Sequence, residues 1–255
     1  MLWHKSWQET QLRFYIGFIL LVLLAGGGAL EYPQIVKLLP AVSGADLTSE
    51  LGRRIKEAAE LQRTFRGYVW SQWFRQNLPQ LGTLFAILIG SGSPITHGSR
   101  GAALFTLSLP ASRTRLVAVR GAVGLVQLIV FAFVPSLVLV VMARGMGEAY
   151  SVVDVLIHGL CWFVGVSVFF ALAMLLSTMF DDLLRPLLVA CAIAVVVGLS
   201  SLVFEGVARY GIYALMSGET YFRTGAVPWV GLLAGAALSS AIFYAAVVNI
   251  SARDF

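Results

Sequence analysis

H-G-S-R-G-A-A-L-F-T-L-S-L-P-A-S-R-T-R-L-V-A-V-R-G, residues His97–Gly121, separates two long apolar segments. It carries Arg100, Arg113, Arg115 and Arg120 and no acid. Ser99 to Leu109 reads as a short helix. Pro110 ends it, because a proline inside a helix loses a backbone bond and clashes with the preceding turn. Two apolar segments joined by a helix, a proline break and a basic cluster imply membrane spans with a docking element between them.

Composition agrees. The chain of 255 residues is 58% hydrophobic and 12% charged, with a mean hydropathy of +0.84, whereas soluble domains carry about 25% charged residues. A polytopic membrane protein follows, and the net charge of +5 is explained by basic loops rather than by nucleic-acid binding. Cys161 and Cys191 lie within apolar segments and are too few for a disulfide framework or a metal site.

Working outward, the expected architecture is all-α, a single domain over 1–255 with six transmembrane helices. The spans fall at about 14–30, 80–96, 116–142, 152–180, 187–204 and 228–249. Ahead of the first, Trp3, Trp7 and Phe14 share a helical face and predict a retained interfacial helix. Gly26-Gly27-Gly28 predicts a loosened end to the first span. In the long loop 31–79, Asp46 is placed to cap a helix running to about Gln76. Leu47, Leu51, Ile55, Ala58, Phe65 and Val69 make its apolar stripe, interrupted by Gln62. Trp70, Trp73 and Phe74 then read as a return to the membrane interface. Pro135 predicts a kink in the third span.

Six spans place both termini on one side. Positive charges number eight on that side and ten on the other, seven of the ten lying in loop 31–79 beside five acids. With that loop set aside the balance is eight to three, which favours termini inside because charges near span ends carry the rule.

Few constellations suggest chemistry. No G-x-x-x-x-G-K-[ST] is present, so the chain has no P-loop of its own. Ser93 and His97 stand one turn apart, but Pro94 distorts the pair as a hydrolase dyad. Asp181-Asp182 lacks a second acidic cluster, and Arg185 is placed to pair with Asp181. No catalytic, cofactor or metal residue is assigned. The small-residue stripe Gly231, Gly235 and Ser239 suits close helix packing, either within the chain or at a dimer face.

The stretch Gly101–Arg113, G-A-A-L-F-T-L-S-L-P-A-S-R, is similar to the G-T-x-x-x-L-L-x-x-P-x-S-R of the first cytoplasmic loop in membrane (permease) subunits of type-2 ABC exporters. The N-terminal interfacial helix, six spans and a short R-D-F tail extend the likeness to the whole layout. Ser99-Arg100 stands where many members have an acid before the glycine, and Ala102 replaces the usual threonine. The resemblance implies a cytoplasmic coupling helix contacting a separate ATP-binding subunit through Ser99, Arg100, Leu104, Phe105, Leu107, Pro110, Arg113 and Arg115. It also implies a second permease chain, ATP and Mg held by the partner, cytoplasmic termini and a place in the cell membrane. The extracellular loop would carry the amphipathic helix. The rival expectations are a membrane-embedded hydrolase or transferase, and a non-transporting anchor.

Overall fold

The computed structural model describes residues 2–43, 50–92, 113–180, 182–203 and 211–252. The segment Ser99–Leu109 with Pro110, and the Ser93/His97 pair, lie outside them. Among the described residues all regular structure is helical. Four helices are long and apolar enough to cross a membrane.

Helix α1 runs unbroken from Leu2 to Ser43. The interfacial helix and first span predicted as separate elements are therefore one rod. The three glycines continue it, and Pro33 lies within it. Their weak helix propensity is overridden by packing. Leu21, Ala25, Ala29 and Tyr32 form a buried row on one face.

The predicted helix Asp46–Gln76 is divided. Helix α2 covers Glu50–Leu61 and α3 covers Phe65–Val69. Thr64 restarts the chain: its extended backbone and a side-chain oxygen accepting from Gly67 N make an N-cap. Ile55 is exposed and Phe65 and Val69 are buried, so the apolar stripe does not act as one surface. A π-helical stretch, Trp70–Asn77, and then α4, Leu78–Gly90, continue α3. The wider turn brings Trp70, Trp73 and Phe74 into the bundle core rather than to an interface. Each indole finds an acceptor, as buried tryptophans require. Trp70 donates to Ser217 O at 3.0 Å and Trp73 to Ser136 Oγ at 2.9 Å.

The rest of the chain supplies α5 (Arg113–Gly145), α6 (Val152–Met179), α7 (Leu184–Val203), α8 (Ile212–Ser217), α9 (Glu219–Thr224) and α10 (Trp229–Ala252). Pro135 sits inside α5. Beside it, Ser136 Oγ donates to Ala132 O at 2.8 Å, and Trp73 supports that turn from the neighbouring helix. Helix α6 is the centre, with α4, α5, α7, α8 and α10 all packed on it. Gly82 permits the α4 contact: a Cβ there would stand 2.2 Å from the Trp162 ring. Between α7 and α10, α8 packs back against α6 and α9 packs on α8.

Candidate functional site

Two ends and one cleft hold the polar chemistry of this bundle. At the first end, α1, α4 and α5 meet, near the residues that precede 93–112 and follow it in sequence. Helix α4 stops at Gly90, leaving carbonyls without helical partners. Arg13 of α1 donates to Leu88 O at 2.6 Å and to Ser91 O at 2.8 Å. Arg120 of α5 donates to the same Ser91 O at 3.0 Å. Cations suit a helix C-terminus because the helix dipole is negative there. Gln127 Nε2 donates to Thr10 Oγ1 at 2.8 Å, and Glu9 lies 3.9 Å from Arg120 Nη1. Arg120 is 6% exposed, yet its Nε and Nη1 make no hydrogen bond among the described residues.

Sequence reasoning counted Arg13 and Arg120 as loop charges. Both instead bind backbone carbonyls of another helix, across separations no local pattern reveals. Of the residues expected to meet an ATP-binding subunit, Ser99, Arg100, Leu104, Phe105, Leu107 and Pro110 lie outside the described set. Arg113 opens the described part of α5, and Arg115 is exposed on its first turn.

At the opposite end Asp154, on the first turn of α6, is buried. Arg66 meets it with Nε at 2.9 Å and Nη2 at 3.4 Å, and Tyr221 Oη donates to it at 2.8 Å. Burial and that hydrogen bond push the Tyr221 phenol above its ordinary pKa, so it keeps its proton as a donor. His158 Nδ1 bonds Asp154 O at 2.8 Å. Gly218, between α8 and α9 at φ +62°, approaches the His158 ring so closely that a Cβ would lie 2.8 Å from Cδ2. Trp70 stacks on Phe222 at 4.2 Å. These contacts clamp α8 and α9 onto the end of the bundle.

Between α4 and α7, roofed by α8, lies a cleft of about 640 Å³, within the roughly 300–1,000 Å³ of small-molecule sites. One wall grades from Arg75 of the π-helical stretch through Gln80 and Thr83 to Leu84 and Ile87 of α4. Leu84, Val195 and Leu199 are exposed at its rim, so it opens sideways onto an apolar surface. Thr83 is 3% exposed and its Oγ1 makes no hydrogen bond.

The small-residue stripe packs within the chain. A Cβ on Gly235 would meet Val164 of α6 at 2.9 Å and Leu215 of α8 at 3.3 Å, and one on Gly231 would meet Leu215 at 3.1 Å. Ser239 borders a shallow groove against α6. Arg185 pairs with Asp182 at 2.9 Å, where the sequence suggested Asp181, which is outside the described residues. Among the described residues no cluster of three or more His, Cys, Asp or Glu is arranged to hold a metal ion. No family model, curated protein or solved structure matches the chain.

Proposed function

We propose that this chain is a permease subunit of an ATP-driven exporter. It crosses the cell membrane six times, by α1, the helix from Phe65 to Gly90, α5, α6, α7 and α10, with both termini cytoplasmic. It pairs with a second permease chain, identical or homologous, and draws energy from a separate ATP-binding subunit whose ATP and Mg are its own. The cleft between α4 and α7 is the surface offered to substrate.

One observation carries this reading. Arg13 and Arg120 both hold Ser91 O, so the two roots of loop 93–112 are tied to each other and to the N-terminal helix. A nucleotide-driven partner shifts a membrane domain only by touching its two states differently. It therefore needs a rigid element joined to several helices at once, and this loop is rooted in that way. The likeness of Gly101–Arg113 to an exporter coupling loop adds support.

Crosslinking in native membranes followed by affinity purification tests the proposal. The expected product contains an ATP-binding subunit and two permease chains. A transport-active complex holding one permease chain and no ATP-binding protein would contradict it. Enzymatic turnover by the purified chain alone, lost on changing Ser93 or His97, would favour the hydrolase.

A further inference from the structure

We propose that the cleft between α4 and α7 takes an anionic amphiphile from the surrounding lipid, with Arg75 holding its head and the α4–α7 seam its tail. This rests on the exporter reading only for the onward movement of the ligand, not for its binding.

The cleft is built as a gradient. Successive turns of one wall present a cation at Arg75, amide and hydroxyl groups at Gln80 and Thr83, then hydrocarbon at Leu84 and Ile87. Facing them are Val195 and Leu199 of α7. A molecule with a charged head, a polar linkage and an apolar tail matches that order. Neither a uniformly polar nor a uniformly apolar one does.

Charge decides the head group. Glu219 also lines the mouth, but Arg223 Nε already binds its carboxylate at 2.7 Å. Arg75 makes no ion pair among the described residues. Its guanidinium lies 5.5 Å over the Trp70 ring, a contact that orients it and leaves its fork of donors free for a carboxylate or phosphate. Deeper in the cleft, Thr83 Oγ1 is buried without a partner. The exposed apolar rim gives lateral access. Tyr213 on the roof donates to Ala194 O of α7 at 3.1 Å, which holds the roof over the cleft.

The test uses the full chain in lipid nanodiscs, with no ATP-binding subunit present. The probes are a photoactivatable diazirine palmitate and the diazirine alkylamine of equal chain length, with mass spectrometry to map the adducts. The palmitate is expected to label segments 84–87 and 194–199, at least several-fold more than the amine. Arg75→Gln should remove most of that preference. Val195→Trp, at a position 59% exposed and so tolerant of size, should block labelling of both segments. Equal labelling by acid and amine, or acid labelling unchanged by both substitutions, would overturn the proposal. Selective labelling in a chain that never recruits an ATP-binding subunit would keep the amphiphile site and sink the exporter. Recruitment without selective labelling would do the reverse.

Discussion

The two ends of the bundle treat buried charge differently. At one, Asp154 is met by two donors of Arg66 and by Tyr221, and aromatic stacking surrounds it. At the other, Arg120 is equally buried but donates one hydrogen bond, to Ser91 O, among the described residues, with Glu9 at 3.9 Å from Nη1 as a looser ion pair. A satisfied buried network rigidifies, and unsatisfied members of a half-satisfied one are costly. The clamped end is therefore expected to be the more rigid, and the Arg120 end the more readily rearranged.

Asp154→Asn should break the clamped end. It leaves Arg66 without its counter-charge and weakens the anchor of α9, at a cost of about 1–3 kcal/mol. Arg66 is 45% exposed, which holds the loss below that of a fully buried pair. A lowered thermal midpoint in detergent, with hydrogen exchange rising first in 211–224, is the expected outcome. An unchanged midpoint would remove the distinction between the ends.

Arg120→Met should have a smaller effect on stability and a larger one on function. Replacing a poorly partnered buried ion by an apolar side chain of similar volume is often neutral or stabilising. The thermal midpoint should hold or rise, while ATP hydrolysis in the complex separates from transport. A large loss of stability with coupling retained would make the site an ordinary structural cap.

Much of the fold was legible. Hydropathy and length located the long apolar helices because membrane-crossing segments must satisfy their backbone internally. Four of the six expected spans correspond to helices long enough to cross: 228–249 became Trp229–Ala252 and 116–142 became Arg113–Gly145, while 14–30 became part of the much longer Leu2–Ser43, and 80–96 and 187–204 fall on shorter helices. Loop 31–79 misled because a helical period shows that a helix exists, not where it breaks. Thr64, an N-cap in mid-pattern, was the available signal. Trp70 and Trp73 were placed at the interface by composition, yet their indoles reach Ser217 and Ser136, partners invisible in one dimension. In sequence Asp154 lies near the end of a span and His158 has no partner at useful spacing, because Arg66, Tyr221 and Gly218 come from distant segments. The cleft was hidden for the same reason: its walls and roof are brought together only by packing on α6.

The central claim is that loop 93–112 receives the drive from an ATP-binding subunit and that its roots pass it into the helices. In the affinity-purified complex, ATP hydrolysis and substrate export are measured together for the wild type, Leu104→Asp and Phe105→Ala. Both variants should insert and fold normally, bind the ATP-binding subunit less tightly, and lose export while hydrolysis no longer responds to it. Arg113→Ala alone should do much less, since exposed charges at an interface rim contribute little singly. If Leu104→Asp and Phe105→Ala leave the complex intact and export unchanged, the loop does not couple the two subunits and the claim is wrong.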